Sequence, residues 1–208
     1  MKNFCDTYNV SRETFDKLKL CQSVLEEWQQ KFNLVSRSSL PDAWNRHFLD
    51  SAQLFSLLPK EARVLFDFGS GAGFPGVVLA IMAQELAPDL QINMVESIGK
   101  KTVYLNHLKD LFKLNANIIN SRIEQLKPTK ADVITSRAMC SLKDLLAYSF
   151  PFCTKNTVCI FPKGKSYAEE LFVAHKFWKF KCQILPSQQS NEGKILVITN
   201  LSKSKGVK

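Results

Sequence analysis

The chain has no Cys-x-x-Cys pair. Its six cysteines, Cys5, Cys21, Cys140, Cys153, Cys159 and Cys182, are scattered without paired spacing. That argues against a zinc site; no metal is expected, and the thiols are read as reduced and mostly buried. No apolar run reaches the roughly 18 residues that span a bilayer. The N-terminus, M-K-N-F-C-D-T-Y-N-V, has no apolar core of a signal peptide. A cytoplasmic protein with no membrane partner is therefore expected. Neither an internal repeat nor a long linker is present. Acidic residues are short as well: 19 Asp and Glu face 28 Lys and Arg, for a net charge of +9. Such an excess favours a polyanionic partner, above all nucleic acid, through phosphate contacts and counterion release. A membrane surface fits less well, because no strongly basic amphipathic helix is evident.

What is there is an ordinary globular composition, 45% hydrophobic over 208 residues, enough for one domain with an appendage. Its most informative stretch is D-F-G-S-G-A-G-F-P-G, Asp67 to Gly76, directly after the apolar run Val64-Leu65-Phe66. A buried strand ends, glycines follow at alternate positions, and a helix begins near Pro75, which suits a first helical turn. Glycines are needed where backbone turns sharply and approaches a ligand with no side chain between. Two patterns overlap here. Gly71-x-Gly73-x-x-Gly76 fits the dinucleotide fingerprint. Gly69-x-Gly71-x-Gly73, with Asp67 ahead of it, fits the G-x-G-x-G motif of S-adenosylmethionine-dependent methyltransferases. The second is favoured. It uses the first glycine after the strand, and it gives Asp67 a purpose: to meet an amino group or to hold the loop.

The rest of the chain organises around that loop. Residues 1–60 read as a helical extension packed on the domain that follows. Ser11 caps a first helix carrying Phe15, Leu18, Cys21, Leu25, Trp28 and Phe32. A second helix, starting at Pro41-Asp42, carries Trp44, Phe48, Ala52, Phe55 and Leu58. Residues 61–201 alternate strand and helix. Strands are expected at Val64–Phe68, Gln91–Glu96, Ala116–Asn120, Ala131–Thr135 and Thr157–Phe161, with a closing pair at Phe177–Leu185 and Lys194–Asn200. Helices are expected at Pro75–Ala87, Gly99–Leu114, Ser141–Phe150 and Tyr167–His175. This is an α/β, doubly wound, mostly parallel seven-stranded sheet, with one strand antiparallel because the last two are adjacent. Residues 202–208 read as a flexible basic tail.

The strand ends supply candidates for chemistry. Glu96 ends the second strand, where an acid can accept from the two ribose hydroxyls of an adenosyl group. Ile123 and Glu124 follow the third strand and can meet the adenine, by an apolar contact and a backbone N–H and by a carboxylate. Arg122 either pairs with Glu124 or contacts RNA. Arg137 follows the fourth strand and can hold a methionine carboxylate or a substrate phosphate bidentately. Lys163 and Lys165 follow the fifth and add cations to the same rim. The fourth strand carries no N-P-P-Y or D-P-P-Y type loop, which enzymes that methylate exocyclic amines use. No Pro-Cys pair marks a nucleophile for pyrimidine C5. Guanine N7 needs neither device: its lone pair is in the ring plane and unprotonated at neutral pH, so alignment suffices.

With these residues in view, the chain resembles the bacterial 16S ribosomal RNA guanine-N7 methyltransferase family, also called glucose-inhibited division protein B. The likeness is carried by N-L-V-S at Asn33–Ser36, W-N-R-H-F-L-D-S at Trp44–Ser51 and the Asp67–Gly76 loop. It continues through E-S-I-G-K-K at Glu96–Lys101, S-R-I-E at Ser121–Glu124, T-S-R-A at Thr135–Ala138 and K-G at Lys163–Gly164. Together they cover nearly the whole chain from about residue 30. The resemblance implies a class I methyltransferase fold, S-adenosylmethionine as cofactor, and methylation of the guanine at position 527 of 16S rRNA, with 16S rRNA or the 30S subunit as partner; a monomer is expected. It implies cofactor contacts from Gly69, Phe74, Ile123, Glu124 and Arg137, with Glu96 near the ribose; the glycine motif itself adds Asp67, Gly71 and Gly73. Arg137, His47 and Lys163 are the candidates for positioning roles at the reacting centre. His47 and Asp50, three apart on one helix face, read equally as a helix-anchoring pair. The family more often has Asp where Glu96 stands, and aliphatics where Phe161-Pro162 stand. Competing readings are a methyltransferase for another RNA or a small molecule, an RNA-binding module without activity, and an NAD-dependent oxidoreductase.

Overall fold

The computed structural model describes residues 4–204. Two helices open the chain, α1 (Phe4–Tyr8) and α2 (Arg12–Gln29). Ser11 caps α2 as expected, its Oγ accepting from the Thr14 N–H at 3.2 Å. The expected second helix is broken into short pieces. A 3-10 turn (Leu40–Asp42), a π-helical segment (Trp44–Leu49), a one-turn α3 (Asp50–Ala52) and a second 3-10 turn (Phe55–Leu57) replace it. Wide π turns occur where a side chain must be re-aimed, often at functional sites, and this one carries Arg46 and His47.

The sheet and its helices then follow in order: β1 (Val64–Phe68), α4 (Gly76–Leu86), β2 (Gln91–Glu96), α5 (Gly99–Phe112), β3 (Ala116–Asn120), β4 (Val133–Thr135), α6 (Leu142–Ser149), β5 (Val158–Lys163), α7 (Tyr167–Ala174), β6 (Trp178–Pro186) and β7 (Lys194–Lys203). Seven strands lie in the order β3-β2-β1-β4-β5-β7-β6. The first five are parallel, and β7 runs antiparallel to both β5 and β6. This is the expected doubly wound sheet with its closing hairpin.

Several boundaries differ from expectation by a few residues, and two of the differences have a physical reason. β5 continues through Pro162 to Lys163, because β4 ends at Thr135 opposite Ile160; beyond that point β5 pairs only with β7, and a proline is tolerated. β7 takes in Ser202 and Lys203, which pair with Lys179 and Trp178 and so are not tail. Residues 205–208 of the expected tail lie outside the described residues. The thiols also differ from expectation: Cys21 and Cys159 are buried, while Cys5, Cys140, Cys153 and Cys182 are partly exposed.

The helical segment is built into the core rather than laid on it. α4, G-V-V-L-A-I-M-A-Q-E-L, is apolar nearly all round because it is covered on both sides. The sheet lies on one face; α2 and α3 pack on the other. One apolar cluster accordingly holds Leu18, Leu25 and Phe48 together with Val78, Ile81 and Ile92. Glu85, near the end of α4, fastens the start of α2, accepting from the Ser11 N–H at 2.9 Å and the Thr14 hydroxyl at 2.6 Å. A second cluster on the opposite sheet face joins α6 to β5 and β7.

Candidate active site

The site lies where the winding direction reverses, between β1 and β4, at the carboxyl ends of the strands. Ligands bind in that crevice in open α/β sheets. The glycine loop forms its floor. Gly69 N–H and Ser70 N–H donate to the Val95 carbonyl at 2.9 and 3.1 Å, folding the loop back over β2. Glu96 clamps it: one carboxylate oxygen accepts from Gly71 N–H at 2.9 Å, the other from Ile98 N–H at 2.7 Å. Gly71 and Gly73 both take positive φ, 57° and 90°. A side chain at Gly73 would run into Val77 and Leu105, whereas one at Gly71 would meet only Gly69 O at 3.7 Å and Lys101 Nζ at 4.0 Å. Gly73 is thus a packing glycine, and Gly71 is the one that keeps the cleft open.

Asp67 does not reach the cleft. It is fully buried behind the loop; its carboxylate accepts from Gly76 N–H and the Thr135 hydroxyl, both at 3.1 Å. It therefore holds the loop, one of the two purposes the sequence allowed. Burial pushes this carboxyl up to about 6, against the opposing effect of its hydrogen bonds. A folded value above the unfolded one means stability that is complete below about pH 4 and is lost as pH rises through about 6. Asp67→Asn is expected to remove that slope, worth up to about 3 kcal/mol. Urea unfolding between about pH 4 and 7 reads it; parallel curves for variant and parent would count against a buried titrating carboxyl.

Two adjoining cavities form the cleft over this floor, about 410 and 420 Å3, sharing Gly69, Gly71, Lys101 and Ala138. Glu96, Ile123 and Glu124 line the second, with Arg122 and Tyr148 beside them. Phe74, His47, Arg46 and Arg137 line the first, closed on its outer side by Leu34, Val35, Ser36 and Ser39. Nine of the expected residues therefore meet in one place: Gly69, Gly71, Phe74, Glu96, Ile123, Glu124, His47 and Arg137 at the cleft, with Gly73 shaping the loop beneath.

Arg137 is the hub of the first cavity. Its Nη1 donates to the Arg46 carbonyl at 2.8 Å and to Asp50 at 3.3 Å, and its Nη2 to His47 Nδ1 at 2.9 Å. Phe74 packs under this group, its ring 5.3 Å from the guanidinium carbon and stacked on His47 at 5.0 Å. The contact defines the histidine. Arginine has only donors, so Nδ1 is the unprotonated acceptor and the ring is neutral. Nε2–H then donates to Ser39 Oγ at 3.0 Å. Ser39 fits that role, since its own hydroxyl hydrogen goes to the Ser36 carbonyl at 2.9 Å. Burial, then the charges of Arg137 and Arg46, lower the His47 pKa to about 4. Asp50 also accepts from Gln53 at 2.8 Å and from the Ser187 hydroxyl at 3.3 Å, which brings the β6–β7 connection to the site.

Lys163 was expected as a cation on the rim; it lines a cavity beside Asp50 and Arg137, but its charge is paired. Its side chain is 9% exposed, and Nζ donates to Glu170 at 2.7 Å and to the Cys140 carbonyl at 2.9 Å. It pins the segment after β4 to α7. Lys163→Ala is expected to cost roughly 1–3 kcal/mol of stability by stranding its partners, measured by chemical denaturation. An unchanged unfolding midpoint together with weaker RNA binding would restore the rim role. Sequence reasoning missed Lys101, which serves both cavities, and Ala138, which takes the left-handed φ of 54° and lines both. Lys101 sits inside E-S-I-G-K-K, so its signal was present; Ala138's backbone had none.

Residues 14–195 match the GidB family model, described as rRNA small subunit methyltransferase G. The chain is 40% identical over 194 residues to the ribosomal RNA small subunit methyltransferase G of Cereibacter sphaeroides strain ATCC 17029, covering 93% of this chain and 94% of that one. It is 41% identical to the protein of that name from Paramagnetospirillum magneticum, covering 94% and 93%. Among solved structures, M. jannaschii TYW2 in complex with AdoMet superposes with a TM-score of 0.57 at 15% identity, over 82% of this chain and 78% of that one. The ribosomal protein L11 methylase of Lactobacillus delbrueckii subsp. bulgaricus gives 0.58 at 14%, over 72% and 76%. These two show the fold. The sequence relatives and the match over residues 14–195 show the family, and the chain belongs to GidB, the rRNA small subunit methyltransferase G family.

Proposed function

We propose that this protein transfers a methyl group from S-adenosylmethionine to N7 of the guanine at position 527 of 16S rRNA, acting as a cytoplasmic monomer on the rRNA or the 30S subunit. The observation that carries this reading is the two-part cleft, in a chain of the GidB family: one half walled by Glu96, Ile123 and Glu124, the other by a neutral His47 held on Arg137. The residues fit the cofactor. Gly71 leaves room against the loop where any larger residue would project, and a carboxylate and an apolar wall stand where an adenosyl group needs them. When bound, S-adenosylmethionine supplies a methyl carbon activated by a positively charged sulfur. Gly69, Gly71 and Phe74 would bind its methionine part, Glu96, Ile123 and Glu124 its adenosyl part. Asp67 and Gly73 support the loop from behind.

Arg137 has five N–H donors, and three go to Arg46, Asp50 and His47. The remaining donors, Nε–H among them, are left for a carboxylate or a phosphate at the cleft. His47 has no free lone pair, because Nδ1 is taken by Arg137 and Nε2 bears the proton given to Ser39. His47 is thus not poised to deprotonate an acceptor, and guanine N7 has no proton to remove. The chain's contribution is alignment of nucleophile and methyl carbon. Domain roles follow: residues 61–201 hold the cofactor, and residues 1–60 complete the acceptor half.

Mass mapping of methylated nucleotides in 16S rRNA, from cells with and without the protein, tests the reading. Loss of a single guanine methylation at position 527 is the expected result; an unchanged map, or a lost methyl elsewhere, would overturn it. Affinity for rRNA is expected to fall steeply with salt, with a log–log slope of several, since the basic excess acts through phosphates. A salt-independent affinity would point to a small neutral substrate instead.

A further inference from the structure

A further cavity, about 620 Å3, lies outside the cleft, between the end of α2 and residues 33–41. Gln29 fixes the shape of that segment. Its side-chain amide pairs with backbone as a strand would: Oε1 accepts from Leu34 N–H at 2.9 Å and Val35 N–H at 3.0 Å, and Nε2 donates to the Val35 carbonyl at 3.0 Å. The pinned segment is a shared wall. Leu34, Val35, Ser36 and Ser39 line the acceptor half of the cleft, while Asn33, Arg37, Leu40 and Pro41 line the outer cavity. Two cavities are therefore separated by one thickness of chain.

The outer cavity is furnished for hydrogen bonding, and three of its polar side chains are unengaged. The side chains of Gln30, Asn33 and Arg37 make no hydrogen bond or ion pair with any described residue, whereas Gln29, Ser36, Ser38 and Ser39 of the wall are paired. An amide presents a donor and an acceptor together, which matches the edge of an unstacked base. A guanidinium matches a phosphate. Leu40 and Pro41 add apolar surface for a base face. Glu26, on the α2 side, accepts from Gln22 at 3.0 Å and can take a base amino group but repels phosphate. That leaves Arg37 as the phosphate contact. Resting on the RNA-methylation reading above, we infer that this cavity is a second nucleotide site: it holds one unstacked nucleotide of the substrate RNA, a near neighbour of the acceptor guanine, through Gln30, Asn33 and Arg37. Anchoring on both sides of the shared wall would fix the guanine in the cleft without any contact to its reacting edge.

Gln30, Asn33 and Arg37 are exposed, so alanine variants keep the fold. Fluorescence anisotropy with a 16S rRNA fragment is expected to show a loss of roughly tenfold in affinity for Arg37→Ala and a several-fold loss for Asn33→Ala. Affinity for S-adenosylmethionine, measured by calorimetry, should stay unchanged in both. An abasic nucleotide is then stepped through the positions flanking the guanine. At one position it should weaken the parent by roughly tenfold and add little to Asn33→Ala, since both remove the same contact. Binding is read without methylation, so a failure of the proposed reaction and a failure of this site give different results. Unchanged RNA affinity in all three variants, or abasic effects that multiply with Asn33→Ala at every flanking position, would overturn the site. So would saturable binding of free GMP or UMP that Arg37→Ala abolishes while RNA affinity is untouched, because the cavity would then serve a free nucleotide.

Discussion

Gly71→Leu is expected to yield a folded protein that has lost S-adenosylmethionine binding, whereas Gly73→Leu is expected to lose the fold. The two glycines are two residues apart in one motif, yet their surroundings differ. At Gly71 a Cβ would have its nearest neighbours at 3.7 and 4.0 Å. The cost is chiefly the positive φ of 57°, about 1–2 kcal/mol for a residue with a side chain. That is a fraction of the usual stability of a domain, roughly 5–15 kcal/mol. The leucine side chain would then fill space shared by both halves of the cleft. A loss on the order of 100-fold in cofactor affinity follows if a loop backbone is what the methionine part lies on. At Gly73 the same residue would be driven into Val77 and Leu105 at a φ of 90°. Overpacking and backbone strain add there, in a loop that starts a helix buried from Gly76 to Ala83. Thermal melts by circular dichroism and calorimetric titration separate the two. Unchanged affinity in folded Gly71→Leu would sink the cofactor assignment.

That contrast marks how far the sequence could be read. The glycine loop, the strand order and the acid at Glu96 are local signals, each set by a short run of residues and its flanks. They fixed the fold and the cofactor half of the cleft. The acceptor half depends on pairs far apart in the chain. Arg137 meets His47 and Asp50 across 90 and 87 positions, and no periodicity announces such a meeting. The π-helical turn carries His47 to these tertiary partners, whereas the apolar spacing of the segment alone reads as an ordinary helix. Asp67 and Lys163 were legible as charged residues at strand ends but not in direction. Asp67 turns inward to Gly76 and Thr135, and Lys163 turns to Glu170, because a buried charge must find partners. The apolar character of α4 did carry unread information: a helix covered on one face only would have shown a polar stripe. Its absence says that a second layer must lie over it, and that layer is the helical segment that completes the site.

Single-turnover methylation of 30S subunits is expected to be nearly flat in rate from about pH 6.5 to pH 8, because guanine N7 has no proton to lose and the His47 ring stays neutral there. His47 is the test of that statement. Its pKa is lowered to about 4, first by burial and then by Arg137 and Arg46. A folded value below the unfolded one means that the neutral ring stabilises the fold above about pH 6.5, and that this is lost as pH falls toward about 4. In the same window protonation of Nδ1 would remove the acceptor for Arg137 and set two cations face to face. The rate should therefore fall only on the acid side, below about pH 5, and that limb should disappear in His47→Ala. Arg137→Ala is expected to cost roughly 100-fold in rate, since a reacting group misplaced by an ångström loses about that much. His47→Ala should cost less, about tenfold, since it loosens Arg137 without removing its charge. Arg137→Lys, which keeps the charge but not the fork of donors, should recover little. None of the three variants should create a new dependence near neutrality, because in each the acceptor nitrogen still has no proton to lose. A bell-shaped profile centred near pH 7 that collapses when His47 is replaced would mean that this histidine moves a proton during the reaction. The hydrogen bonds that tie up both its ring nitrogens would then have to open in the complex with RNA, and alignment alone would not account for the rate.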